Sequence, residues 1–170
     1  TCVRLVAQQN VGRIEVTLRC TGVLVAPNVV LTARHCALTK GQLESSCDDS
    51  PKELEFADPG SFWVTTAATM TPKAAYGQGI KWGASAWKSP CGHDVALLEL
   101  DSSLVGFDEP LMKPQLSGTP AGDASFFAFG PTSSTDATHS DQRKELPASV
   151  LCVGTGTKGC SSVAGGDTLR

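Results

Sequence analysis

The sequence has 170 residues, 41% hydrophobic and 18% charged, with 14 basic and 17 acidic side chains giving a formal net charge of −3. That length holds one ordinary domain or two small ones, and the balance favours a packed core over wholesale disorder. The small charge gives no pull toward nucleic acid or an anionic membrane, and no apolar run approaches the ~20 residues of a membrane span.

Thr1 and Cys2 lead straight into a strand-like run at residues 3–7, with no leader-like segment, so the chain reads as mature and processed. Residues 14–18 alternate through Ile14, Val16 and Leu18. Runs at 22–26 and 29–32 flank Pro27-Asn28, a turn dipeptide. Residues 35–40 are the best place for a short helical turn, and 41–59 form a polar, acidic loop around Cys47. Further apolar runs follow at 62–66, 95–100, 125–129 and 150–153, with an exposed Ser/Thr/Asp-rich loop at 131–144. β-branched and aromatic residues dominate the runs, and no repeat recurs at a fixed period. Many short strands with turn signals between them predict an all-β sandwich or barrel.

Seven cysteines (Cys2, Cys20, Cys36, Cys47, Cys91, Cys152, Cys160) is a high count for this length. No Cys-x-x-Cys pair occurs, so disulfides in an oxidising compartment, secreted or periplasmic, are the better reading. The odd number leaves one thiol free or paired outside the chain. Cys47, Cys91 and His93 offer too few ligands for zinc, and neither a metal nor a cofactor is expected. His93 and His139 read as exposed. Trp63, Trp82 and Trp87 read as packing residues.

Residues 20–36 read CTGVLVAPNVVLTARHC. The segment resembles the first catalytic block of the trypsin/chymotrypsin family: a cysteine, a small-residue turn, two strands, then Leu31-Thr32-Ala33 and, after Arg34, His35-Cys36. Asp94-Val95-Ala96-Leu97-Leu98-Glu99-Leu100 is similar to the family's Asp-Ile-Ala-Leu-Leu-x-Leu. Phe126-Phe127-Ala128-Phe129-Gly130 is a weaker match to the strand that opens the second barrel, with the usual Gly-Trp-Gly or Gly-Tyr-Gly ending replaced by Ala-Phe-Gly. Taken singly, His35 could be a packing histidine and Asp94 a strand-capping carboxylate. The two blocks together favour the catalytic reading.

The resemblance implies an all-β, chymotrypsin-like double β-barrel. Residues 1–110 would form the first barrel with the catalytic His and Asp. Residues 111–170 would give the interbarrel connection and the first strands of the second. It implies a secreted serine endopeptidase in which His35 is the general base and Asp94 holds its tautomer. A Cys20–Cys36 disulfide would staple the histidine turn. Read from their places in the chain rather than from the family, Cys47–Cys91 would tie the acidic loop to the strand leading into Asp94 and Cys152–Cys160 would close a small loop, which leaves Cys2 as the odd one.

Two family features are missing. No Gly-Asp-Ser-Gly-Gly-Pro occurs, and the nearest string, Gly166-Asp167-Thr168, runs on into Leu169-Arg170 without the glycines an oxyanion-hole turn needs. The start also lacks Ile-Val-Gly-Gly, which leaves the activation mechanism open. The expectation is that Arg170 marks a cut, self-inflicted or made in processing. A C-terminal fragment of the same protease, docked as partner, would then carry the serine, and the substrate would be a protein or peptide. The alternative is a catalytically inactive homologue serving as a binding or regulatory module.

Overall fold

The computed structural model describes residues 2–11, 14–39, 55–67, 77–84, 94–105, 111, 113–114, 117, 122–129 and 143–149. Its strands are β1 (Cys2–Val11), β2 (Ile14–Ala26), β3 (Val29–Thr32), β4 (Phe62–Thr65), β5 (Gly77–Ala84), β6 (Ala96–Leu100), β7 (Asp123–Phe129) and β8 (Arg143–Ser149). The first six close a barrel in the order β1-β2-β3-β6-β5-β4, and β7 pairs with β8 in a separate two-stranded sheet. Every pairing is antiparallel. The barrel closes where Arg4–Ala7 of β1 meets Phe62–Thr65 of β4.

Alternation decides which side of each strand faces inward. In β3, Val30 and Thr32 are buried while Val29 and Leu31 are half-buried. In β6, Ala96, Leu98 and Leu100 point in, and Leu97 points out. Val30, Leu98 and Leu100 join Leu24, Ala57, Phe62 and Val64 in the barrel core. Trp82 seals it from β5: its ring meets Phe62 edge-on at 4.9 Å, and its indole N–H donates to the Ala57 carbonyl at 2.9 Å. Burying an indole with its N–H satisfied gains apolar contact without stranding a polar group. Trp63, by contrast, lies on the outer face and is exposed.

Several elements differ from the sequence expectation. The runs at 14–18 and 22–26 are one strand, because Cys20, Thr21 and Gly22 stay extended and pair with Leu5, Arg4 and Val3 of β1. The helical turn is a single 3-10 turn over Arg34–Ala37, after which Leu38 enters a bridge with Phe56. β5 was not expected from GQGIKWGA, which has no period-2 apolar pattern. Its Gly79 is demanded by packing: a Cβ there would lie 2.5 Å from the Pro59 carbonyl oxygen and 2.8 Å from Leu98 Cδ1. A bulge between Gly79 and Lys81 accompanies that close approach. β8 was hidden by its charges and by Pro147, which sits opposite Ser125 in a strand paired on one side among the described residues.

Of the expected loops at 41–59 and 131–144, residues 41–54 and 131–142 lie outside the described residues, as do the run at 150–153, the pairs Cys47–Cys91 and Cys152–Cys160, and Trp87, His93, His139 and Thr168, while Phe56 bridges to Leu38 and Arg143 and Lys144 belong to β8. Among the described residues, no helix is long and apolar enough to cross a membrane.

Candidate active site

The register of β3 against β6 brings the two motif residues together. Val29, Val30, Leu31 and Thr32 pair with Glu99, Leu98, Leu97 and Ala96. Because the strands are antiparallel, the end of β3 and the start of β6 leave the barrel at one rim. His35 follows β3 and Asp94 precedes β6, so a sequence separation of 59 becomes a contact.

The turn carrying His35 is held on three sides. Ala33 is extended (φ −69°, ψ 138°), and its carbonyl accepts from the Cys36 N–H at 3.1 Å, which tightens the chain into the 3-10 turn. Cys36 is buried and disulfide-bonded to Cys20 of β2, the pair the family resemblance implies. On the far side the Ala57 N–H donates to the Ala37 carbonyl at 2.8 Å, and the Thr39 N–H to the Glu55 carbonyl at 3.1 Å. Leading into the turn, the buried Thr32 hydroxyl donates to the Thr21 carbonyl at 3.0 Å. Thr32 enters the sequence motifs only as part of the Leu31-Thr32-Ala33 block, although a hydroxyl at an inward-facing strand position needs a partner and so signals such a bond.

Asp94 clasps His35 with both oxygens. Its Oδ1 accepts from the His35 backbone N–H at 2.7 Å, and its Oδ2 lies 2.6 Å from the ring Nδ1. An ionised carboxylate only accepts, so Nδ1 carries the proton and Nε2 is left as the basic nitrogen. One bond fixes the main chain and the other fixes the ring, so the imidazole is set in tautomer and direction. The side chains are 54% and 41% exposed, which leaves the pair open to a reacting partner. The arrangement can accept a proton at Nε2 and stabilise the resulting imidazolium through Asp94.

Arg34, beside His35, is a residue that sequence reasoning gave no role. It is 3% exposed, with its guanidinium carbon 5.5 Å from the centre of the Phe56 ring. Nε and Nη1 have no hydrogen-bond partner among the described residues. Phe56 in turn faces Trp82 at 6.2 Å, so the cation caps an aromatic row running into the barrel core.

Among the described residues, no group of three or more His, Cys, Asp and Glu side chains gathers in a way that could hold a metal ion. An open hollow of about 590 Å³ is lined by Asp123, Ala124, Ser125, Pro147, Ala148 and Ser149 of β7 and β8, with neither His35 nor Asp94 in its wall.

The trypsin family model matches residues 4–158, a span that takes in both motifs and all eight strands from Arg4 onward. The chain belongs to the trypsin family. This trypsin-family chain has the chymotrypsin-like β-barrel fold, as a solved structure also indicates. The crystal structure of the scabies mite inactivated protease paralogue S-D1 superposes with a TM-score of 0.62 at 17% sequence identity. The match covers 89% of this chain and 57% of that one, so the trypsin-family chain spans a little over half the length of its structural relative. No curated protein sequence matches it significantly.

Proposed function

We propose that these residues form the His–Asp part of a serine endopeptidase acting by acyl transfer. The observation that supports this most is the two-oxygen clasp of Asp94 on His35, which leaves Nε2 free to act as base. A serine hydroxyl gives its proton to Nε2 while its oxygen attacks the scissile carbonyl. The same proton then goes to the leaving amine, and water repeats the cycle to release the acyl group. No Gly-Asp-Ser-Gly-Gly-Pro string occurs in the sequence, and on this proposal a C-terminal fragment of the same protease supplies the serine, the oxyanion hole and the specificity pocket. Residues 1–110 act as the first barrel, and 111–170 as the connection and opening strands of the second. The disulfide Cys20–Cys36 supports an oxidising compartment, secreted or periplasmic, as the working location.

The test uses the full-length protease and an unfolded protein substrate. His35→Ala should abolish peptide hydrolysis and labelling by a fluorophosphonate while leaving the melting temperature nearly unchanged. Undiminished hydrolysis in that variant would refute the assignment.

A second reading, an inactive homologue used for binding, draws on the structural relative, which is by its own title an inactivated paralogue. It predicts no fluorophosphonate labelling of the wild-type protein. The preserved clasp on His35 favours the active reading, since a site freed from catalysis has no need of it.

A further inference from the structure

Two hydrogen bonds tie β7 to the barrel at a single side chain. The Phe129 N–H donates to the Thr21 hydroxyl at 3.0 Å, and that hydroxyl faces the Phe129 carbonyl at 3.4 Å. One Thr21 oxygen thus serves both backbone groups of a residue 108 positions away, as a cross-strand neighbour would with its own N–H and C=O. Threonine suits this: its branched Cβ restricts χ1, so the hydroxyl is held in place before β7 arrives.

Thr21 is also bound to the histidine turn. Its carbonyl accepts from Thr32, the last residue of β3, and its neighbour Cys20 is disulfide-bonded to Cys36 beside His35. The continuous path is Phe129, Thr21, Thr32, then the turn with His35, and Asp94 beyond it.

We infer that Thr21 is a positioning residue for catalysis: its hydroxyl registers β7, and the sheet that β7 begins, against the turn that carries His35. The inference rests on the reading of His35 as general base. If the serine is supplied from the C-terminal portion, the sheet begun by β7 must hold a fixed distance from Nε2, and an error of about 1 Å there can cost up to ~100-fold in rate. Thr21 touches no reacting atom, and acts through the two backbones it joins.

The experiment compares Thr21→Val, Thr21→Ala and Thr21→Ser in the full-length protein. The first two remove the hydroxyl, Ala without adding bulk, and the third restores it. In both hydroxyl-free variants, exchange of the Phe129 amide hydrogen should quicken roughly five- to tenfold, the loss expected for one hydrogen bond. The deshielded Nδ1 proton of His35 should shift or broaden, kcat should fall about tenfold, and KM should change less than twofold. Thr21→Ser should recover all these readouts. A foldable hydroxyl-free variant with the His35 resonance and kcat unchanged would overturn the inference, as would loss of stability alone with kcat per folded molecule intact. If the wild-type protein proves to have no peptidase activity, the proposed function fails, and the Phe129 and His35 resonances alone decide the role of Thr21.

Discussion

Thr32 of β3 lies opposite Ala96 of β6, and this pairing sets the distance between His35 and Asp94. Both site residues sit just beyond that last rung, one on each strand. Neither holds its place by burial. The main-chain bond from the His35 N–H to Asp94 Oδ1 reinforces the pairing, since it keeps the two chain segments together after the sheet has ended.

Asp94→Asn is expected to leave the fold intact and lower kcat by about 10⁴-fold, the scale known for removing this charge from a Ser-His-Asp site. An amide turned toward Nδ1 can present an N–H, which favours the tautomer with Nε2 protonated and so removes the base. Steady-state kinetics beside circular dichroism check this, and a loss under tenfold would count against the orienting role of Asp94.

Replacing both Cys20 and Cys36 by serine should cost about 3 kcal/mol of stability, the chain-entropy value for a loop of this size, here a sequence separation of 16. Urea unfolding of the full-length protein measures it. The loss of kcat should persist well below the unfolding midpoint, because the bridge is one of the supports of the His35 turn.

Gly79→Ala and Gly83→Ala form a contrasting pair. At Gly79 a methyl group meets the Pro59 carbonyl at 2.5 Å, backbone that cannot rotate away. The expected cost is about 2–3 kcal/mol. At Gly83 the nearest atom is Leu97 Cβ at 3.6 Å, an ordinary contact, and the change should stay within about 0.5 kcal/mol. Equal melting temperatures for the two variants would contradict the packing of Pro59 on β5.

Arg34→Met should raise the melting temperature by roughly 2–4 °C, a gain near 1 kcal/mol for a chain of this size. Methionine keeps the apolar contact with Phe56 and removes a buried guanidinium that lacks hydrogen-bond partners at Nε and Nη1 among the described residues. Arg34→Ala keeps neither and should lower it. Calorimetry of the two variants separates packing from charge, and a fall in both would show that the guanidinium itself stabilises the fold.

The pairing of His35 with Asp94 is legible in the sequence because both sit in short, dense motifs. Leu31-Thr32-Ala33 and Asp94 through Leu100 carry the family pattern, and the turn at Pro27-Asn28 and the span of β3 were read as they stand. The strands without periodic apolar residues stayed hidden. β5 spends its positions on glycines that admit Pro59 and Leu98, and β8 on charges and a proline suited to a strand that is paired on one side among the described residues. In the sequence Thr21 stands only as part of a small-residue turn. Its partner, Phe129, is 108 positions distant, and no local pattern encodes a contact of that range.

The barrel order also sets a timetable for assembly. β6 is the last barrel strand in sequence, yet it slots between β3 and β5, and β1 must find β4 before the cylinder closes. Folds dominated by such distant pairings form in milliseconds to seconds, not microseconds. During synthesis the hairpins of β1 with β2 and of β2 with β3 can assemble early, before Asp94 has been made. Only when Ala96–Leu100 has emerged and zipped onto β3 does Asp94 arrive. The contact between His35 and Asp94 therefore depends on the pairing of β6 with β3, the longest-range step between neighbouring strands at that rim.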